Sequence, residues 1–259
     1  MTPATPFNRF KSTFRPVIHW CLRQGLWLRA RPFEFGPQPV VLVIAPHPDD
    51  EAFGCGGTIA NLCAEGNRVH ALFLTDGNGS HPGHPTMTPI NLAALRQTEA
   101  RASTRALGID AADVQFFHLP DGRLSQLTEG EIANAVVRLS SALNAIAPTT
   151  LFTPYRYDGS SEHEAAFRLL QTSLKNAELT PRLLEFPIWS WWSPVLLLRC
   201  LLRVRRVQRV SLNQYAATKA SAIRCHHSQI EPVAPWTQPI LTSAFVRCFR
   251  STEEFFFEV

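Results

Sequence analysis

The stretch from Val40 to Thr58, VVLVIAPHPDDEAFGCGGT, constrains the fold of this chain more than any other. It begins with five apolar, mostly β-branched residues, which predict a short strand buried on both faces of a sheet. Pro46 and Pro48 then interrupt regular pairing and stiffen a turn. The turn carries four polar side chains, those of His47, Asp49, Asp50 and Glu51. Polar groups at the carboxyl end of a buried strand lie where open α/β sheets bind ligands.

The residue types in this turn indicate a cation site and not a nucleotide site. A dinucleotide-binding turn needs closely spaced glycines directly after the strand, so that the backbone can approach a pyrophosphate. Carboxylates in that place would repel phosphate. Imidazole with carboxylates is instead a ligand set for a divalent cation, zinc above all. Helix capping by Asp50 is the alternative, but it explains one acid and leaves the histidine and the other acids unexplained.

The chain is long enough for one large α/β domain, since it has 259 residues of which 45% are hydrophobic. Further strands are predicted at residues 68–74, 114–118, 150–153, 183–186 and 254–259, the last at an edge of the sheet. None of the six cysteines forms a C-x-x-C pair. Together with the lack of a recognisable secretory signal or membrane-length apolar run, this predicts reduced thiols and a cytoplasmic protein.

The positive charge is concentrated in two segments. Residues 1–33 hold six Lys or Arg, residues 187–210 hold five Arg, and neither segment holds an acid. Because the chain as a whole has a net charge of +4, the remainder carries −7. Residues 12–31 and 195–206 can form basic amphipathic helices, and PIWSWWSP precedes the second. Both segments are typical of a membrane-surface anchor. The alternatives are a helix packed on the domain or a frayed terminus for the first segment, and aromatic side chains that wall a pocket or pack as core for the second.

The run APHPDDE, Ala45 to Glu51, resembles the A-H-P-D-D-E signature of the PIG-L (LmbE-like) family of zinc-dependent N-acetylglucosamine de-N-acetylases. The resemblance covers roughly residues 38–230. It implies a Rossmann-like three-layer α/β sandwich with a mainly parallel sheet and its site at the carboxyl ends of the strands. We therefore expect a basic N-terminal extension, residues 1–37, and a single deacetylase domain, residues 38–259.

The resemblance also assigns roles to residues of the first motif and to His163. It implies hydrolysis of an N-acetyl amide on a GlcNAc-containing substrate, with free and lipid-linked glycoconjugates both open. One Zn²⁺ per chain would be held by His47, Asp50 and His163, and Asp49 would be the catalytic base. No nucleic-acid partner is expected.

Later motifs of the family match with departures. Arg96 and Glu99 match R-x-x-E, where the arginine contacts substrate; a surface ion pair is the alternative. Asp121 in LPDGRL is the candidate for holding the sugar, although Pro-Asp-Gly is also an ordinary turn. In KASAIRCHHSQ, Lys219 to Gln229, the family histidine falls on His226, a candidate proton-handling or outer-sphere group.

The clearest departure is at the motif that contains His163. Ser160 stands where better matches have a histidine that assists the tetrahedral intermediate, and Glu162 replaces an aspartate. His81 and His84 have metal-like H-x-x-H spacing, but they are predicted to be solvent-exposed loop histidines. Two rival functions stay open: a zinc amidase for a non-sugar N-acyl compound, and a membrane-peripheral sugar-binding protein without turnover. The presence of Asp49 argues against the latter.

Overall fold

The sheet of this protein is built mainly from parallel strands. The computed structural model describes residues 6–259, and it describes side chains from residue 17 onward. Residues 12–16 of the first predicted amphipathic helix therefore lie outside the described side chains. Within the described range the strands are β1 (Ala30–Pro32), β2 (Val41–Ala45), β3 (Val69–Thr75), β4 (Val114–Leu119), β5 (Thr150–Pro154), β6 (Arg182–Phe186), β7 (Val207–Ser211) and β8 (Glu253–Glu258).

Helices connect these strands. In the described residues they are α1 (Pro6–Arg29), α2 (Asp50–Ala64), α3 (Pro89–Ala106), α4 (Glu129–Ile146), α5 (Ser161–Asn176), α6 (Trp189–Trp192), α7 (Pro194–Arg203), α8 (Tyr215–Arg224), α9 (His227–Ile230) and α10 (Ser243–Arg247). Helix α4 begins with a capping box, in which Thr128 and Glu131 are bonded reciprocally. No helix in the part of the chain that the structure describes combines the length and apolarity needed to cross a bilayer.

The strand order is β1-β7-β8-β6-β5-β2-β3-β4, and every pairing is parallel except those of β8. Strand β8 was predicted at an edge, and this was wrong. It lies inside the sheet, antiparallel to both β6 and β7. Its run Phe255–Phe257 is buried because helices cover both faces at that position.

Alternate side chains of β2 enter two separate cores, which accounts for its continuous apolar sequence. Val41 and Val43 join the larger core, which also takes residues of α1, α2, α7 and α8. Leu42 and Ile44 join the core formed with α4 and α5. The result is the predicted three-layer sandwich with helices on both faces of the sheet.

The predicted N-terminal extension is tied to the domain. Strand β1 pairs with β7, and Leu26 and Phe33 are buried in the larger core. Residues 30–32 of this segment therefore contribute to the sheet, although the predicted boundary at residue 38 stays a prediction. Neither β1 nor β7 was predicted from the sequence.

Candidate active site

The turn between β2 and α2 holds a strained backbone. Asp49 has φ 139°, a value that non-glycine residues rarely adopt. Its N–H donates to Glu51 Oε2 at 3.0 Å, and the preceding carbonyl oxygen, of Pro48, accepts from Arg96. Gly54 lies one turn further on, where a Cβ would overlap the ring of Phe186. The absence of a side chain at Gly54 thus lets the start of α2 lie against Phe186, at the carboxyl end of β6.

Three potential metal ligands converge at this point. His47, Asp50 and His163 offer ligand atoms that all lie within 4.8 Å of one another. His47 Nδ1 is 3.2 Å from Asp50 Oδ2, and His163 Nε2 is 3.6 Å from Asp50 Oδ1. Two nitrogen or oxygen ligands on one tetrahedral zinc ion lie about 3.4 Å apart, given bonds of 2.0–2.2 Å. The three side chains therefore fit a zinc ion and leave a fourth position for another ligand.

Each of the two histidines has a carboxylate behind it. His163 Nδ1 donates to Asp158 Oδ2 at 3.1 Å, and His47 Nε2 lies 3.4 Å from Asp121 Oδ1. Such carboxylates fix the imidazole tautomer and leave the opposite nitrogen free for a metal. This arrangement is independent support for a cation, because it orients Nε2 of His163 and Nδ1 of His47 toward Asp50.

The electrostatics of the cluster favour positive charge. Burial works to lower the pKa of His163, but the carboxylates of Asp50 and Asp158 raise it to about 10. Burial works in the opposite sense on Asp50, yet His163 and His47 hold the pKa of Asp50 below its usual range. Protons on the imidazoles thus balance the carboxylates when no cation is present.

A second group of potential ligands shares one residue with the first. His47, Asp121 and Glu162 also lie within 4.8 Å of one another. Both carboxylates already accept from the protein: Asp121 from Thr75 and Gly79, and Glu162 from the backbone N–H groups of residues 122 and 124. We therefore take the first group as the candidate metal site.

Asp49 lies beside the candidate metal site and lines the cavity. Burial raises the pKa of Asp49 to about 6, assisted by Asp50 and opposed by the guanidinium of Arg96. The nearest donor is Arg96 Nη2, 3.1 Å from Asp49 Oδ2. A carboxyl group with this pKa can accept a proton near neutral pH and release it again.

Arg96 is buried and does not form the ion pair with Glu99 that was the alternative. Its terminal nitrogens donate to Gly77 O, Pro48 O and Asp49, while Nε is buried without an acceptor among the described residues. Glu99 instead accepts from the N–H and hydroxyl of Ser228, at 2.7 and 2.6 Å. Helix α3, which carries the R-x-x-E motif, is thus hydrogen-bonded to Ser228 of the KASAIRCHHSQ segment.

His226 is fully buried and does not line the cavity. Its Nε2 lies 3.3 Å from Glu51 Oε1, the other oxygen of the carboxylate that holds Asp49 N–H. Although burial works to lower it, the pKa of His226 is raised by Glu51 and Asp49. The structure therefore places His226 behind the turn and not against a substrate.

The cavity over this cluster has a volume of about 280 Å³. Four of the predicted site residues line this cavity: His47, Asp49, Asp50 and His163. Arg96 and Asp121 also contribute, and two aromatic side chains, Trp189 and Phe245, form part of the wall. Of the three tryptophans in PIWSWWSP only Trp189 reaches the cavity, while Trp191 is buried against Phe255. Ser160 lines the cavity too, and its hydroxyl accepts from His163 N–H as the cap of α5.

The expectation that His81 and His84 are solvent-exposed was wrong. Both are buried, because their rings pack on Trp236, whose ring is stacked on His81 at 5.4 Å between centroids. Nε2 of His84 donates to Val233 O, and Nδ1 accepts from the N–H groups of residues 86 and 87. His84 therefore has no nitrogen left for a metal.

Sequence reasoning missed Asp158 and the role of Glu51. Asp158 accepts from three consecutive N–H groups, of residues 188 to 190, and from the hydroxyl of Ser190. It thereby connects His163 to the segment that carries Trp189. The only local signal was an acid five residues before the candidate ligand, which is weak evidence by itself.

Known proteins to which this chain is similar are named as deacetylases, in agreement with the residues of the candidate site. Residues 42–173, about half of the chain, match the model of the PIG-L family, described as GlcNAc-PI de-N-acetylase. A probable N-acetyl-alpha-D-glucosaminyl L-malate deacetylase 2 of Bacillus anthracis is 29% identical over 144 residues. That match covers 54% of this chain and 63% of the relative. A diacetylchitobiose deacetylase of Thermococcus kodakarensis is 43% identical over 74 residues, 27% of this chain and 26% of the relative.

A solved structure shows the same fold. The N,N'-diacetylchitobiose deacetylase of Pyrococcus horikoshii, in complex with an inhibitor, superposes with a TM-score of 0.57 at 22% identity. The superposition covers 88% of this chain and 81% of that structure. The signature turn, the sheet and the family match over half the sequence agree, and this chain belongs to the PIG-L family.

Proposed function

We propose that this protein is a zinc-dependent hydrolase that removes the N-acetyl group from a GlcNAc-containing substrate. The observation that carries the proposal is the cluster of His47, Asp50 and His163, which opens into a cavity beside Asp49. The relatives are named as deacetylases of GlcNAc-malate and diacetylchitobiose. The chain spans less than two thirds of each of these two relatives, so their activity reaches this chain only as a proposal.

The proposed ligands are His47 Nδ1, Asp50 and His163 Nε2. A zinc ion bound there would supply Lewis acidity, which acidifies a water molecule and polarises an amide carbonyl. Asp121 and Asp158 keep the two imidazoles in the tautomers that ligation requires. Glu51 and Arg96 fix the turn that presents Asp49.

Asp49 is the proposed general base. Its carboxylate takes a proton from the attacking water and then passes a proton to the departing amine nitrogen. Arg96 supports this role, because the guanidinium limits how far burial raises the pKa of Asp49. His226 is proposed as an outer-sphere group that acts through Glu51, since it does not reach the cavity.

The wall of the cavity supports an amino sugar as the substrate. Trp189 and Phe245 offer flat apolar surfaces for the faces of a sugar ring, while Arg96 and Asp121 offer a donor and an acceptor for its hydroxyls. A purely apolar N-acyl compound would place apolar atoms against Arg96 and Asp121, which line the cavity. We therefore keep Arg96 and Asp121 as proposed sugar contacts.

A reducing, cytoplasmic location is part of the proposal. All six cysteines are free thiols in the structure, and Cys55 and Cys200 are buried. Burial raises the pKa of Cys200 to about 12, which keeps this thiol protonated and unreactive at neutral pH.

Acetate release from purified, zinc-loaded protein tests the proposal. The substrates are free GlcNAc, diacetylchitobiose, GlcNAc-malate, a lipid-linked GlcNAc and, as the non-sugar comparison, an N-acetyl amino acid. We expect release from at least one of the GlcNAc compounds and none from the amino acid. Release from the amino acid alone would favour the non-sugar amidase, and sugar binding without any release would favour the sugar-binding protein.

The metal part is tested separately by elemental analysis of His163→Ala. We expect strong depletion of zinc relative to the wild type. Wild-type zinc content in that variant would remove His163 from the site. Leu241→Ala, which alters a cavity residue without removing a proposed ligand, is the control and is expected to retain zinc.

A further inference from the structure

Between residues 17 and 29, helix α1 turns polar side chains toward the domain and apolar ones toward solvent. Nε2 of His19 hydrogen-bonds with Trp191 O at 2.5 Å, and Arg23 donates to Cys248 O at 3.2 Å. The Arg23 guanidinium also lies 4.8 Å from the centre of the Trp191 ring. Leu22 and Leu26 bring apolar contacts inward from this stretch, and the ring of Trp27 has the guanidinium of Arg209 over it at 5.0 Å. A surface helix of a globular domain normally directs its apolar face inward and its charges outward.

Outward apolar side chains lie on both α1 and α7, two helices that pack against each other. On α1 they are Val17, Ile18, Trp20, Trp27 and Leu28. On α7 they are Val195, Leu198 and Leu202, spaced so that they share one side of the helix. We call these eight side chains the α1–α7 face.

The two helices form a packed pair. A Cβ at Gly25 would lie 3.2 Å from Leu201 Cδ2, so that the absence of a side chain lets α1 approach α7 closely. Arg29 donates to the carbonyl oxygens of Leu201 and Val204, which satisfies the end of α7. These contacts beneath the α1–α7 face fix the two helices relative to each other.

Exposed large apolar side chains are concentrated on this face in the described part of the chain. Of the 14 large apolar side chains that are exposed among the described residues, eight lie on these two helices. Trp20 is 61% exposed and Leu202 is 76% exposed. Concentrations of this kind on a soluble domain indicate a partner surface and not scattered surface residues.

The charges around the face narrow the class of partner. Residues 187–210 hold five Arg and no acid, and residues 1–33 are also free of acids. Arg199 and Arg203 directly follow Leu198 and Leu202 along α7, and both are exposed. In the described part of the chain, no carboxylate lies within ion-pair distance of Arg199, Arg203 or Arg205. A partner that supplies negative charge together with an apolar layer would complement this surface.

We propose that the α1–α7 face binds the interfacial region of anionic lipid bilayers. Tryptophan and leucine would enter the boundary between headgroups and acyl chains, while the arginines contact anionic headgroups. Interleaved apolar residues and arginines with no acid match this layered environment. A protein surface that met them all would have to be both apolar and acid-rich across two helices.

The face adjoins the candidate active site. Helix α6 ends at Trp192, and only Ser193 separates it from α7. Trp189 of α6 lines the cavity and is 37% exposed. Tyr157 lies three residues before the cavity residue Ser160 in the sequence and is exposed. The Arg203 guanidinium is 5.2 Å from the centre of the Tyr157 ring. Membrane binding through the α1–α7 face would bring a lipid-linked amino sugar to this cavity. Only this consequence rests on the proposed function.

Vesicle co-sedimentation of the full chain tests the proposal without reference to activity. The probes are vesicles of phosphatidylcholine alone and of phosphatidylcholine mixed with phosphatidylglycerol, each at low and high salt. We expect the protein to pellet with the anionic vesicles at low salt and to be released by high salt. Removing two arginine charges, in Arg199→Gln with Arg205→Gln, should lower the partition coefficient roughly thirtyfold at about 1 kcal/mol each.

Leu198→Ser with Leu202→Ser removes the apolar part and should also abolish pelleting. The matched control is Ile90→Ser with Val137→Ser, two apolar residues exposed elsewhere, and it should pellet like the wild type. Equal recovery of the wild type in the supernatant with both vesicle types at low salt would overturn the proposal. So would equal pelleting of the face and control variants.

A protein partner gives a different result. If the wild type forms a concentration-dependent oligomer that Leu198→Ser with Leu202→Ser abolishes, and does not bind vesicles, the face is a protein contact and the proposal is wrong. Hydrolysis of soluble diacetylchitobiose by the face variants should match the wild type. Loss of vesicle binding with this rate intact would therefore leave the proposed function untouched.

Discussion

Asp158 accepts a hydrogen bond from Nδ1 of His163 at 3.1 Å, and the same carboxylate accepts from three backbone N–H groups beside the cavity. One buried acid thus orients a proposed metal ligand and positions the segment that carries Trp189. The relationship makes the metal site and the substrate wall parts of one structure. Replacement of Asp158 should therefore change the affinity of the site for a metal ion.

Replacing Asp158 should weaken metal binding although Asp158 is not a proposed ligand. In Asp158→Asn the imidazole loses its charged partner, and we expect the zinc dissociation constant to rise about 10- to 100-fold. Chelator competition measures it. The control is Asp76→Asn, which alters a similar carboxylate–histidine pair, with His118 Nδ1 at 2.9 Å, whose members do not line the cavity. An unchanged zinc affinity in a folded Asp158→Asn protein would contradict the positioning role.

Asp49→Asn separates the base from the metal ligands. Asparagine has nearly the same shape and can still accept from Arg96, but it cannot take a proton from water. We expect zinc content to stay near that of the wild type while turnover falls by a factor on the order of 10² to 10⁴. Acetate release and elemental analysis of the same preparation measure the two quantities.

The neighbouring substitution is the control for Asp49. Asp50→Asn should lose zinc, because Asp50 lies between both histidines. If Asp49→Asn releases acetate at the wild-type rate with zinc bound, Asp49 is not the base.

Asp121 has two proposed roles, and its variant distinguishes them. Its oxygens already accept from Thr75 Oγ1 and Gly79 N–H and face His47 Nε2, so positioning of His47 is the stronger role. We expect Asp121→Asn to weaken zinc binding by roughly tenfold. A rise in KM with unchanged zinc affinity would instead assign Asp121 to the sugar alone.

The parts of this fold that were predicted correctly depend on local sequence. Strand β2 and its turn follow from five apolar residues, two prolines and a motif within a single stretch. Strand β7 was missed because Val207–Ser211 continues the Arg-rich run after α7 without a clear break. The position of β8 between β6 and β7 depends on pairings with distant segments, which the apolar run Phe255–Phe257 cannot reveal.

The site shows the same division between local and distant determinants. The motifs identified His47, Asp50 and His163, and the fold brings them within reach of one another. Asp158 was missed because its role depends on backbone N–H groups some 30 residues away. His81 and His84 were misjudged because Trp236, about 150 residues further along the chain, covers a loop that looks polar in sequence.

The buried pair of Lys219 and Glu254 should be a major determinant of stability. Glu254 accepts from Lys219 Nζ at 2.7 Å, from Thr58 Oγ1 at 2.6 Å and from the N–H groups of Gly57 and Thr58. Glu254→Ala would leave the ammonium buried without its partner, at a cost of about 3–5 kcal/mol in the free energy of unfolding. Urea titration followed by circular dichroism measures this. Glu164→Ala, which breaks the exposed pair with Arg168, is the control and should leave the midpoint unchanged. Equal midpoints for the two variants would show that the buried pair is dispensable, and recovery of stability in Glu254→Ala with Lys219→Met would identify the unpaired charge as the cause of the loss.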